Sequence, residues 1–256
     1  MDILTIEIMD LKKIKPQFIK KPNPRIGLIA LASDFMIEKD FLNIIKDKNI
    51  DFFVNRIKCY NPLTSENLIK MSEEVTDVTS DILPDEKIDC VVYGCTSGTI
   101  AAGHDSIEKK IKLAKPEAKV TTPSTAAITA LKKLNIKKIS IFTPYPKKLN
   151  NEVVDFFKNE KFEITSNSYF DIESDIDIGK VDPDYLYDVL INMDHKDADA
   201  LFVSCTALPV LSIIDKLEKK INKFVLSSNQ ALIWDTLEKI GKNNSINGFG
   251  KLFLSN

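Results

Sequence analysis

Asp89-Cys-Val-Val-Tyr-Gly-Cys95-Thr96-Ser97-Gly98 and Asp199-Ala-Leu-Phe-Val-Ser-Cys205-Thr206-Ala207 are two versions of one pattern. In each, an Asp stands six residues before a Cys-Thr pair, and the run between them is short and apolar. Such a run reads as a strand that delivers a thiol at its carboxyl end. Two thiols presented by two similar half-chains suit work on both faces of one small molecule.

The surroundings of the two runs repeat as well. Pro24-Arg-Ile-Gly-Leu-Ile-Ala-Leu-Ala-Ser-Asp34 reads as a strand and a polar turn, followed by a helix over Ile37–Lys46 and a strand over Asp51–Ile57. A helix over Ser65–Leu83 leads to the Cys95 strand. A helix through about Leu113, a strand at Lys119–Thr121 and a helix opened by Pro123 follow it. The order then restarts with strands at Lys138–Pro144 and Phe162–Tyr169 around a helix at Glu152–Glu160, and a helix at Pro183–Met193 before the Cys205 strand. Ser212–Lys220 reads as a helix, Phe224–Ser227 as a strand, and Ser228-Asn-Gln-Ala as the start of the last helix.

This alternation predicts an α/β fold of two pseudo-symmetric, doubly wound lobes, each with a mainly parallel four-stranded sheet and the site in the cleft between them. The correspondence of Thr121-Thr-Pro-Ser-Thr-Ala with Leu226-Ser-Ser-Asn-Gln-Ala extends the duplication. The repeat of about 110 residues is too long for a solenoid. Residues 1–122 with 229–256 are expected to form the lobe carrying Cys95, and residues 123–228 the lobe carrying Cys205. Ligands of open α/β sheets bind at the carboxyl ends of strands. Asp34, Cys95, Tyr145, Cys205 and the Ser174–Gly179 loop all follow such ends.

Composition bounds the function. A chain of 256 residues with 28% charged residues and a net charge of −2 carries no electrostatic footprint for nucleic acid or anionic membrane. No apolar run approaches the roughly 20 residues that span a bilayer. Asp2, Glu7 and Asp10 interrupt the amino terminus, so a secretory signal is not expected. The expectation is a cytoplasmic protein with four reduced cysteines. No CxxC occurs and neither His has a zinc-type spacing, so no metal is expected. Cys59 and Cys90 read as small apolar packing residues. No phosphate loop and no GxGxxG supports a nucleotide cofactor.

Each Cys-Thr pair lies between a strand and the first turn of a helix, where free N–H groups and the helix dipole favour anions. That position is expected to lower the thiol pKa from about 8.5 towards neutrality. The same amides, with the hydroxyls of Thr96, Ser97 and Thr206, suit a substrate carboxylate. Only two arginines, Arg25 and Arg56, are present, which favours backbone donors over a guanidinium clamp. A lone strand-end Cys is more often a packing residue, but two in duplicated turns favour catalysis. Tyr145 divides between core packing and substrate binding, and Ser124 and Asn229 between N-caps and site residues. A Cys–His pair fails on distance: His104 lies about 13 Å along a helix from Cys95. His195 sits near the amino end of its strand, roughly 20 Å from Cys205.

Tyr93-Gly-Cys-Thr-Ser-Gly-Thr, Thr122-Pro-Ser-Thr-Ala-Ala, Thr143-Pro-Tyr and Ser204-Cys-Thr-Ala together resemble the Asp/Glu racemase superfamily. The chain is most similar to its maleate isomerase and arylmalonate decarboxylase-like group, and within it to the ectoine-utilisation branch. The resemblance runs from Pro24 to Trp234 and implies catalysis without cofactor. In such racemases one thiolate removes an α-proton and the other thiol reprotonates the opposite face. In maleate isomerase the first cysteine adds to the double bond and the second assists. Cys95 and Cys205 match these positions, and Thr96, Ser97 and Tyr145 match a carboxylate-binding group. Arylmalonate decarboxylase has Gly for the first Cys, so two thiols argue against decarboxylation.

Two departures bear on substrate. Where maleate isomerases carry Asn, this chain has Asp34 after Ser33, and Asp175 stands in for a second Asn. A carboxylate repels the second carboxylate of maleate and suits an ammonium or hydroxyl. The expectation is therefore a racemase or isomerase of a small amino- or hydroxy-acid, including ectoine or hydroxyectoine breakdown intermediates. Maleate cis–trans isomerase, a decarboxylase and a non-catalytic ligand-binding protein are the alternatives. The expected partners are a small carboxylate and further copies of the chain, in a homo-oligomer.

Overall fold

The computed structural model describes residues 14–19, 22–242 and 245–255, so the reading of Asp2, Glu7 and Asp10 lies outside the described residues. The first half runs β1 (Arg25–Leu31), α1 (Ile37–Ile45), β2 (Asp51–Ile57), α2 (Ser65–Ser72), α3 (Val75–Ser80), β3 (Cys90–Gly94), α4 (Thr96–Ala102), α5 (His104–Ala114) and β4 (Lys119–Thr121). The second runs α6 (Pro123–Lys133), β5 (Lys138–Thr143), α7 (Lys147–Asn159), β6 (Glu163–Tyr169), α8 (Asp175–Ile178), α9 (Pro183–Ile191), β7 (Ala200–Val203), α10 (Ile214–Ile221), β8 (Phe224–Ser227) and α11 (Ser228–Lys239).

The sheets are ordered β2-β1-β3-β4 and β6-β5-β7-β8, the same topology twice, and every pairing is parallel. The cysteine strands are central, so both of their faces are covered and every residue of β3 and β7 is buried. That explains their continuous apolar runs. In the second lobe Phe202 of β7 packs on Phe157 of α7 with ring centroids 4.8 Å apart.

The repeated Asp does the same work in both halves. Asp89 accepts the N–H of Arg25 at 2.8 Å, and Asp199 accepts that of Lys138 at 2.9 Å. Each carboxylate thus pins the first residue of the neighbouring strand and sets the register of β1 on β3 and of β5 on β7. The lobes also interlock, because α11 leaves β8 of the second sheet and packs on β3 and β4 of the first.

Three expected helices differ. The single helix over Ser65–Leu83 is two, α2 and α3, and Lys110 donates to the carbonyl of Ser72 where the first one stops. The helix after Cys95 breaks at Gly103, whose φ of 81° lies where side chains rarely go and which separates α4 from α5. The helix expected from Glu152 begins at Lys147. Its polar first turn shows no apolar period, but Asp171 accepts the Lys147 N–H at 3.1 Å. Among the described residues no helix is long and apolar enough to cross a membrane.

Candidate active site

The sequence Gly94-Cys95-Thr96-Ser97-Gly98 turns from β3 into α4 with Cys95 as its N-cap. Cys95 Sγ accepts the N–H of Gly98 at 3.2 Å and lies 3.9 Å from the hydroxyl of Ser97. A Cβ at position 98 would sit 2.8 Å from that sulfur and 2.9 Å from the Tyr93 hydroxyl. Glycine is therefore required there for the thiol to fold back over its own helix. Cys205 follows β7 with φ of 100°, an uncommon conformation for a residue with a side chain.

One site contains both thiols. Tyr145 is buried with its hydroxyl against Cys205 and within the electrostatic reach of Cys95. Asp175 acts on Cys95 and Cys205, and Asp34 on Cys205. The structure thus brings Asp34, Cys95, Tyr145, Asp175 and Cys205 together. All five are almost completely buried, so the cleft is closed. Loops from the two lobes meet over it, with Ser33 donating to Asp175 at 2.6 Å. Phe35 also packs against Gly179, where a Cβ would come within 2.7 Å of the ring. A surface cleft of about 620 Å³, lined by Pro84, Ile88 and Lys115, lies elsewhere, beside the start of β3.

Burial decides the protonation of this site. It pushes both thiols well above the ordinary value, more than the Gly98 amide and Ser97 hydroxyl lower Cys95, or Tyr145 and the Ala207 amide lower Cys205. The expectation of two thiols lowered by helix starts is therefore corrected: at Cys95 desolvation exceeds the pull of the α4 amides. Cys205 stands at no helix start, since the chain runs irregularly from Ser204 to Val210 before it turns helical at Leu211. Burial likewise raises Asp34, against the amides of Met36 and Ile37 that its Oδ1 accepts at 2.8 and 3.0 Å. The other oxygen, Oδ2, is buried and makes no hydrogen bond, because the nearby Thr206 hydroxyl spends its proton on the Gly94 carbonyl. Asp175 is pushed up to about 6 by burial, with the nearby Asp34 adding to the rise. Arg56 donates to the carbonyls of Leu31 and Asp34, bracing this loop rather than clamping a ligand.

The two threonine hydroxyls point between lobes. Thr96 donates to Ser228 at 2.8 Å, and Ser228 accepts the N–H of Cys205 at 3.0 Å. Thr206 donates to the Gly94 carbonyl at 3.2 Å. Each cysteine turn is thus tied to the opposite lobe. Asn229 is not the cap of α11, since Ser227 accepts the Gln230 N–H there. Instead Asn229 Nδ2 donates to the Thr206 carbonyl at 2.7 Å and to Asp40 at 2.8 Å. Ser124 does not cap α6 either, and its hydroxyl is buried without a partner.

Cys59, expected as a packing residue, belongs to the edge of the site. It is half-buried, lies beside Ser33, Asp175 and Asp34, and is pushed up to about 11 mainly by burial. Cys90 is packing, fully buried in β3. His195 is bound between the Ser140 hydroxyl at 2.9 Å and the Leu190 carbonyl at 2.7 Å. His104 lies near Glu108 and Thr122. Among the described residues no three His, Cys, Asp or Glu side chains come together as metal ligands.

Fold and site define a pseudo-symmetric α/β enzyme with one thiol from each lobe. The arylmalonate decarboxylase family model matches residues 64–253, and the chain belongs to that family, whose catalysis is mediated by cysteine. It is 26% identical over 243 residues to a maleate isomerase of Geobacillus stearothermophilus, covering 89% of this chain and 96% of the relative. The maleate isomerase of Pseudomonas putida S16, a cysteine-to-alanine variant with maleate, superposes with a TM-score of 0.84 at 22% identity, covering 91% of this chain and 98% of that one. A cysteine-to-serine variant of the Nocardia farcinica maleate cis–trans isomerase, with a covalently bound succinylcysteine intermediate, gives 0.83 at 19% identity and covers 90% and 98%. At these identities the two structures establish the fold.

Proposed function

We propose that the chain is a cofactor-independent isomerase of small carboxylic acids with Cys95 and Cys205 as the reacting pair. The observation that carries this reading is the placing of both thiols around one Tyr145 hydroxyl in a closed site. A closed site excludes water from a carbanion-like intermediate. Two thiols also exceed what decarboxylation needs. For a cis-unsaturated diacid, the thiolate form of Cys95 forms a C–S bond while the alkene pair moves into the adjoining carboxylate. Rotation about the resulting single bond follows, and the C–S bond then breaks with its electrons returning to sulfur. Cys205 faces this sequence as acid and base, and no net proton is gained or lost. The names of the relatives support the cis–trans version.

A second reading, racemisation of an amino- or hydroxy-acid, is favoured by Asp34. Its buried Oδ2 lacks a donor, which an ammonium or hydroxyl would supply. Here one sulfur takes the α-proton and the other returns a proton to the opposite face. Products of ectoine and hydroxyectoine breakdown fall in this class. The test common to both readings is Cys205→Ser protein incubated with maleate and with the amino- and hydroxy-acids, followed by peptide mass spectrometry and turnover. An adduct of one diacid on the Cys95 peptide supports addition. Loss of racemisation without an adduct supports proton transfer. Near-normal turnover of both Cys95→Ser and Cys205→Ser would defeat the two-thiol mechanism.

A further inference from the structure

Cys205 holds a backbone conformation, φ of 100°, that residues with a side chain rarely adopt, so something must fix it. Its N–H is held by Ser228, and the next carbonyl, that of Thr206, is held by Asn229. An amide side chain can present either its oxygen or its nitrogen to that carbonyl, and only the nitrogen bonds. Asp40 supplies the choice. It reaches from α1, is 5% exposed, and takes the other Nδ2 proton at 2.8 Å across 189 residues of chain. With both amino protons committed, Asn229 Oδ1 is left buried and unpartnered. That arrangement is unfavourable for the amide alone and persists because a carboxylate and a carbonyl hold the opposite edge.

We propose that Asp40 is a positioning residue for Cys205, fixing the Asn229 amide so that it clamps the Thr206 carbonyl and aims the second thiol into the site. Its effect on turnover rests on the two-thiol reading above, whereas its effect on the turn does not. The groups facing Asp40 set its charge. Asp34 lies before α1, Lys39 beside it on α1, and Lys46 lines the same groove of about 350 Å³. From the other elements come the neutral Asn229 and the uncharged Pro209, Leu211, Ser212 and Phe249. Burial, opposed by Asn229 and aided by Asp34, pushes the carboxyl up to about 7. The clamp therefore weakens as pH falls through neutrality and Asp40 becomes the poorer, uncharged acceptor.

The experiment compares wild type, Asp40→Leu and Asp40→Asn, the last keeping an acceptor oxygen. Amide hydrogen exchange is followed by mass spectrometry in the peptides that contain Cys205 and Cys95, and turnover is followed against pH. In Asp40→Leu the Cys205 peptide is expected to exchange about tenfold faster while the Cys95 peptide stays within about twofold, because opening is local. Its kcat should fall about tenfold with KM nearly constant, and Asp40→Asn, an uncharged acceptor, should recover part of that loss. Wild-type kcat should fall more steeply below pH 7 than above it, and Asp40→Asn should lack the break. Equal acceleration in both peptides, or unchanged exchange at Cys205, would overturn the positioning role. Faster exchange at Cys205 alone with kcat intact would keep the clamp and count against the two-thiol mechanism.

Discussion

Thr96 of the first cysteine turn donates its hydroxyl to Ser228 at 2.8 Å, and Ser228 holds the N–H of Cys205, the second cysteine, at 3.0 Å. A single hydroxyl at the start of α11 thus couples the positions of two thiols from different lobes. Replacing it orphans a buried N–H and a buried hydroxyl. Ser228→Ala should lose about 1–3 kcal/mol, read by chemical denaturation, together with turnover. An unchanged midpoint would show that the bridge contributes nothing to the fold.

The thiols lie above their ordinary pKa in the closed site because burial disfavours the charged form. A thiol raised in this way is protonated at neutral pH, and its thiolate fraction grows as pH rises towards that pKa. The rate of a thiolate-dependent reaction should therefore keep climbing from pH 7 to about 9. A plateau already reached at neutral pH would mean that a thiolate forms there in spite of burial.

Stability should carry the opposite mark of burial at Asp40. Its ordinary value is 3.8 and its folded value about 7, so between these pH values the folded chain keeps a proton that the unfolded chain has released. The folded state then loses ground as pH rises through that window and holds steady above it. Asp40→Asn removes the penalty, so its stability relative to wild type should grow from pH 4 to pH 7 by as much as about 4 kcal/mol. Urea denaturation at the two pH values measures this, and an equal difference at both would contradict the buried charge.

Asp34 and Asp175 meet around Ser33 at the mouth of the site. If they read an ammonium or hydroxyl of the substrate, Asp34→Asn with Asp175→Asn should shift the kcat/KM ratio towards maleate by about tenfold or more. Competition assays with maleate against amino- and hydroxy-acids read the ratio directly. A shift in the other direction would assign both carboxyls to structure.

The thiol pair and the doubled sheet were legible because their signals are local: an Asp, an apolar run and a Cys-Thr recur in order. Tyr145 and the Asp34 loop followed from strand ends. The break at Gly103 had its signal in that glycine, while the start of α7 hid in a polar turn. Asp40 with Asn229 was out of reach, since one contact across 189 residues leaves no pattern in either segment. The protonation of Cys95 and Cys205 is not legible, because depth of burial leaves no mark in the sequence, and the irregular stretch after Cys205 looks there like the helix start that follows Cys95. The place of Cys59 is hidden for the same reason, its nearness to Ser33 and Asp175 being a property of the folded cleft.

The most direct test is proton NMR in deuterium oxide with wild type, Cys95→Ser and Cys205→Ser. The panel is maleate, small amino- and hydroxy-acids, and hydroxyectoine-derived compounds. The expected result is isomerisation by wild type alone: maleate to fumarate, or deuterium at an α-carbon with loss of optical purity, either abolished by each substitution. Wild-type turnover that survives both substitutions, or carbon dioxide release from a substituted malonate in place of isomerisation, would contradict the two-thiol isomerase.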